Sequence, residues 1–330
     1  MKSKLTYLLK LELFKELDNF REGQFFAVID QKVKNHLPQW IQFSPHVFWI
    51  KNPEDEKNFE TYSSGIEFLL KQGIKKDSHL YAFGGGATTD IAGFIAATIL
   101  GGIKWSVAPT TLSGMVEGSI GGKVQINVLN GKNLVGTEHS PEHVYICGDF
   151  LTTLSERELI CGKGEILKYG FLSKEIHVMI MDKAPLEDIA FECARYKNYI
   201  IELDMSDQKL ELGRMLSYAF EDSLKITQGY ALAMALKYLF KFMKLEESLY
   251  QWDRMVHALS MPMEKLTVGY FSQFDVNAFT AYLDQHSHKK NEQHVHLVLV
   301  KSIASQYVEE VLFKDLKHII QNDEEFKRLA

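Results

Sequence analysis

The chain has 330 residues, 46% of them hydrophobic, with 37 Lys and Arg against 43 Asp and Glu. That is enough apolar material for a sizeable core in two domains, and it excludes a disordered or fibrous chain. A formal net charge of -6 gives no overall basic footprint for nucleic acid and leaves room for a small anionic ligand in a local basic pocket.

Met1 to Asn19 is charged throughout and lacks the apolar core of a secretory signal. No apolar run approaches the roughly 18 to 20 residues of a membrane span. The expectation is a cytoplasmic protein without a membrane partner. Short apolar or β-rich runs follow at Phe25–Asp30, His46–Ile50, His79–Phe83, Ile103–Val107 and His143–Ile146, separated by stretches long enough for crossover helices. This alternation predicts an α/β amino-terminal domain with a parallel sheet over residues 1–150. From 151 to 330 the pattern becomes helical, with three- and four-residue apolar spacing over Glu156–Gly170, Leu186–Leu203, Ala231–Lys244 and Leu245–Leu259. Only His296–Lys301 reads as a late strand. Cys147, Cys161 and Cys193 lack close pairing and read as buried thiols.

Of 22 glycines, 16 fall in the first 150 residues, so close backbone approach to a ligand concentrates there. Phe83-Gly84-Gly85-Gly86-Ala87-Thr88-Thr89-Asp90 ends a strand in three glycines and opens a helix, an arrangement that suits phosphate. It lacks the Gly-x-Gly-x-x-Gly spacing of a dinucleotide fold. Pro109-Thr110-Thr111-Leu112, Val116-Glu117-Gly118-Ser119-Ile120-Gly121-Gly122-Lys123 and Gly131-Lys132-Asn133-Leu134-Val135-Gly136 add hydroxyls, a carboxylate and two lysines bracketed by glycine.

Together with Thr153-Leu154-Ser155-Glu156-Arg157-Glu158 and Gly164-Glu165-Ile166-Leu167-Lys168-Tyr169-Gly170, this ordered set resembles the 3-dehydroquinate synthase and sugar-phosphate cyclase family, densely from about residue 80 to 171. The resemblance implies a Rossmann-like NAD-binding domain, a mostly helical metal and substrate domain, and a homodimer. The implied reaction is that of a carbon–oxygen lyase of aromatic amino acid biosynthesis: phosphate elimination and carbocycle formation from a phosphorylated seven-carbon sugar acid, with NAD reduced and regenerated in one turnover. Carried over by motif, Asp30, Glu54, Lys57, Gly85, Gly86, Asp90, Thr110, Thr111 and Thr153 would hold NAD. Glu117, Lys123, Lys132, Asn133, Lys168, Lys197, Arg214, Lys289 and Lys290 would serve the substrate. Outside the resemblance, Asp30 and Glu54 also read as local caps, Lys57 and Lys197 as solvated, and Arg214 as a partner of Glu211.

The departures concern the metal, which in this family is Zn2+ or Co2+ held by one glutamate and two histidines. Glu165 matches the glutamate, but no histidine lies between His177 and His257. Three readings stand open. Glu165, Glu221 and Gln228 could form an oxygen site suited to Mg2+ or Mn2+; Lys225 could pair with Glu221 or Glu165 and fill the cation position; or His286, His288, His294 and His296 could rebuild a site. Glu117 in place of Asp, Gly101 in place of Arg and Ser140 in place of Gln point to a shifted substrate or a decayed substrate site. The functional expectation is a lyase of this type with altered or absent metal dependence. The alternatives are a catalytically decayed NAD-binding homologue with a regulatory or scaffolding role, a cyclase of changed substrate, or an NAD-dependent polyol dehydrogenase.

Overall fold

A computed structural model describes residues 3–18, 25–51, 53–129, 131–203, 207–263, 277, 279–281, 283, 289–291 and 294–324; the side chains of 131, 132, 207, 208 and 289–291 are not described. The chain forms two compact units. The first comprises Met1–Leu159 with Leu186–Leu203, the second Ile160–Pro185 with Asp204–Ala330.

The first unit is built on a six-stranded parallel sheet. Its strands are β1 (Lys4–Tyr7), β2 (Phe25–Asp30), β3 (Val47–Ile50), β4 (His79–Gly84), β5 (Lys104–Pro109) and β8 (His143–Ile146), in the order β1-β8-β5-β4-β2-β3. Every residue of β2 is buried, as expected of a central parallel strand covered on both faces. The chain leaves β2 toward β3 on one side, whereas from β4 it proceeds to β5 on the other. Such a switch point is where open α/β sheets bind ligands, at the carboxyl ends of the strands. Asp30 closes β2 and Gly84 closes β4, so both lie at that edge.

Five sheet strands coincide with those read from the sequence to within a residue or two at either end. Three strands of the first unit were not foreseen. β1 is a four-residue edge strand, while β6 (Lys123–Val128) and β7 (Gly131–Glu138) pair antiparallel. Glycine density made this hairpin read as loop. Gly136 is accommodated because a Cβ there would strike the backbone of Val124 and Gln125 across the ladder.

Helix α1 (Lys10–Asp18), the single-turn helices α2 (Gln39–Gln42) and α3 (Pro53–Glu56), α4 (Phe59–Lys71) and α5 (Gly86–Thr98) complete the amino-terminal part. Helix α6 (Glu156–Leu172) begins with a capping box: Ser155 N donates to Glu158 Oε2 at 2.9 Å and Glu158 N donates to Ser155 Oγ at 3.3 Å. Helix α7 (Lys174–Met181) follows, and α8 (Leu186–Glu202), expected in the second half, packs with the first unit.

The second unit contains most of α6, then α7, α9 (Arg214–Leu224), α10 (Gln228–Phe242), α11 (Glu246–Ala258) and the helix Phe313–Asn322. Its core includes Phe171 edge-on against Phe240, with centroids 4.8 Å apart. The single late strand expected is instead the centre of an antiparallel sheet. β10 (His294–Val300) pairs with β9 (Lys289–Asn291) on one side and β11 (Gln306–Leu312) on the other. Among the described residues no helix is long and apolar enough to cross a membrane. Cys147 and Cys193 are buried as expected, but Cys161 is partly exposed.

Candidate functional site

The glycine turn after β4 is shaped by contact. A Cβ at Gly84 would overlap Thr88, and one at Gly85 would lie 2.9 Å from Thr111 Cγ2. At Gly86 a Cβ would meet nothing within 4 Å. Gly85 caps α5 without a side-chain hydrogen bond, so no capping side chain satisfies the first amides of this thirteen-residue helix. The adjoining segment Gly114–Gly118 forms one wide turn against this glycine turn: Thr111 Oγ1 accepts from Gly114 N at 3.1 Å, and a Cβ at Gly118 would lie 3.9 Å from Gly86 Cα. Two buried hydroxyls here, Thr88 Oγ1 and Ser119 Oγ, have no hydrogen-bond partner among the described residues. Sequence reading did not select either one. Ser119 lines a small cavity together with Asp90 and Lys123.

Beside the turn, the buried ammonium of Lys57 lies 2.5 Å from Asp90 Oδ2 and 2.5 Å from Asn133 Oδ1. Burial pushes the Asp90 carboxyl up, opposed by Lys57 and by the Gln125 amide. Asn133 adopts the left-handed conformation, φ 58°, and its N–H donates to Asn127 Oδ1 at 2.9 Å. The residue expected on the substrate thus joins the network around two residues expected on NAD.

The other expected dinucleotide residues fall as follows. Asp30 is buried, its carboxyl pushed up by burial, and it caps the short turn Gln31–His36 by accepting from Lys32 N at 2.9 Å. Glu54 is exposed on α3. Thr110 is buried and its N–H donates to Gly84 O at 2.9 Å, whereas Thr153 Oγ1 donates locally to Phe150 O.

Lys197 is buried on α8, and its Nζ donates to Glu117 O at 2.8 Å and Oε1 at 2.9 Å. These two expected substrate residues therefore hold each other. Lys123 is exposed at the start of β6. Gly101, φ 74°, receives the Lys76 ammonium on its carbonyl at 2.8 Å. Ser140 packs so tightly against Gly122, φ 71°, that a Cβ there would overlap it. The side chains of Lys132, Lys289 and Lys290, and all of His286 and His288, lie outside the described residues.

In the second unit Glu165 is fully buried. Its Oε1 accepts from Arg214 Nη1 at 2.8 Å and Gln228 Nε2 at 3.0 Å; its Oε2 accepts from Arg214 Nη2 at 3.2 Å and lies 3.1 Å from Lys168 Nζ. Two expectations are corrected here. Gln228 turns an N–H toward Glu165, so the oxygen set Glu165, Glu221 and Gln228 does not form as a site. Lys225 pairs with Asp222 on the surface at 3.1 Å, not with Glu221 or Glu165. Arg214 reaches Glu165 with both terminal nitrogens. His294 and His296 flank Glu310 at 3.8 and 3.6 Å, and among the described residues no group of three or more His, Cys, Asp or Glu is arranged to hold a metal. A guanidinium, an ammonium and an amide N–H around one carboxylate do not fit a divalent cation, which requires acceptors.

The fold of the chain is that of the 3-dehydroquinate synthase-like proteins. It superimposes with a TM-score of 0.79 on 2-epi-5-epi-valiolone synthase from Streptomyces hygroscopicus, solved with NAD+ and Zn2+, at 20% identity over 97% of this chain and 96% of that one. It superimposes at 0.78 on a 2-deoxy-scyllo-inosose synthase complexed with carbaglucose-6-phosphate, NAD+ and Co2+, at 18% identity over 96% of each chain. Residues 47–161 match the family model 3-dehydroquinate synthase N-terminal. The 3-dehydroquinate synthase of Clostridium tetani is 29% identical over 324 residues, 90% of this chain and 85% of that protein. In sequence the chain is similar to 3-dehydroquinate synthases, and in fold to the sugar-phosphate cyclases.

Proposed function

We propose that the protein is a carbon–oxygen lyase of the 3-dehydroquinate synthase type that uses NAD, acts on a phosphorylated seven-carbon sugar acid and works as a cytoplasmic homodimer. The observation that supports this reading is the glycine turn that opens α5, where a Cβ at Gly86 would meet nothing within 4 Å, followed in the same helix by Asp90 paired with Lys57 and by the unpartnered hydroxyl of Thr88. That chemistry fits a pyrophosphate and its ribose. Gly85, Gly86, Thr88, Asp90 and Thr111 would hold NAD, which supplies reversible hydride acceptance when bound. Lys123 and Lys132 would bring positive charge to the carboxylate and phosphate of the sugar acid. Glu117, fixed by Lys197, would offer a proton acceptor beside them.

A second reading is a dinucleotide-binding homologue without lyase activity, favoured by the engagement of Glu165 with Arg214. Calorimetric titration with NAD, together with phosphate release from the sugar acid in the presence and absence of chelator, separates the two. Chelator-resistant release that is lost in Lys123→Ala supports the lyase. Saturable NAD binding without release, with Zn2+, Co2+, Mn2+ or Mg2+ added in turn, supports the second reading. No NAD binding overturns both.

A further inference from the structure

We infer that Arg214 is the resident cation of the Glu165 site, a guanidinium occupying the place of a divalent metal, so that the chain folds and binds dinucleotide without taking up Zn2+, Co2+, Mn2+ or Mg2+ there. Four donors converge on the two carboxylate oxygens: both terminal nitrogens of Arg214, the amide of Gln228 and the ammonium of Lys168. An ionised carboxylate offers about four lone-pair directions, and here each oxygen already has two partners. A metal would have to displace one of them and then sit beside a guanidinium and an ammonium.

The backbone is built to deliver these donors. Gly213 caps α9 at φ 75°, and a Cβ there would lie 2.9 Å from Leu236 Cδ2. That left-handed residue sets Arg214 as the first residue of the helix. Gly164, next to Glu165, and Gly229, next to Gln228, face each other so closely that a Cβ on either would overlap backbone across α6 and α10. The glycine pair brings the amide of Gln228 within reach of the carboxylate. Arg214 and Glu165 form a two-point fork, a geometry that lysine cannot reproduce.

Only the NAD readout of this inference rests on the proposed function; metal content and stability test it whether or not the chain binds dinucleotide or is a lyase. The experiment is elemental analysis of the full chain purified without chelator, with thermal melts in EDTA and in excess Zn2+ or Co2+ and an NAD titration under each condition. The expected result is metal far below one ion per chain, with a melting temperature and an NAD affinity that neither chelator nor metal changes. Stoichiometric metal in the wild type that disappears in Glu165→Gln would overturn the inference. Stability provides a second test. Glu165→Gln and Arg214→Ala should each lower the melting temperature, and the double variant should lose clearly less than the two losses added. Simple additivity would show that the pair is not coupled and would count against the inference. Should a single variant not fold, wild-type metal content and Arg214→Lys, expected metal-free but less stable, still decide it.

Discussion

Lys197 grips Glu117 at two points, its carbonyl and its carboxylate, 2.8 and 2.9 Å from one ammonium. A helix some eighty residues downstream thereby fixes the turn Gly114–Gly118 that borders the glycine loop. Lys197→Met should destabilise the protein by about 1 to 3 kcal/mol, since a charge-assisted contact is lost at a mostly buried carboxylate. Urea denaturation measures this. Glu117→Gln in the Lys197→Met background should add little more.

Gly86 separates fold from ligand. Its missing side chain meets nothing within 4 Å, so Gly86→Ala should leave the melting temperature nearly unchanged. The added methyl would occupy the space assigned to a phosphate, and NAD affinity should fall by about tenfold or more, some 1.4 kcal/mol. Calorimetry measures the affinity. Unchanged affinity would move the dinucleotide elsewhere.

Much of this was legible in the sequence. The glycine turn and its Asp90 stood out because strand, triple glycine and helix follow one another, and the parallel strands because continuous apolar runs mark a sheet covered on both faces. The β6–β7 hairpin was missed although Val124, Ile126 and Val128 alternate with polar residues in β6, a strand signal; the glycines on either side, at 121, 122, 131 and 136, made the segment read as loop. Loss of the histidines was visible, and so was the idea that a cation might fill their place. The residue was not: Lys225 is near in sequence, whereas Arg214 reaches Glu165 only through a left-handed Gly213 and long-range packing. Gly213 itself, directly before an arginine and a helix, was the available signal.

His79 should make stability pH-dependent. Burial pushes its imidazole down to about 4 from the ordinary 6.5, and a ring nitrogen lies 2.8 Å from Ser106 Oγ. The folded state therefore prefers the neutral ring. The associated stability is present above the ordinary value and is lost as pH falls through the window from 6.5 toward 4. The loss approaches about 3 kcal/mol at full protonation. Denaturation midpoints across that window should drop in the wild type and flatten in His79→Gln.

Gly164→Ala should be among the most damaging single-methyl changes in the second unit. The new Cβ would collide with the Gly229 carbonyl, forcing α6 and α10 apart at a cost of about 3 kcal/mol. It would also withdraw Gln228 from Glu165. A melting curve measures the loss, and Ala at the exposed position Ser302 serves as the control.

The first unit draws on Leu186–Leu203, far downstream of the rest of it. No single cut in the gene yields that lobe intact: a fragment stopping at Leu159 omits the lysine that pins Glu117. A vector that encodes this lobe alone would have to join two separate stretches of the chain through a new linker.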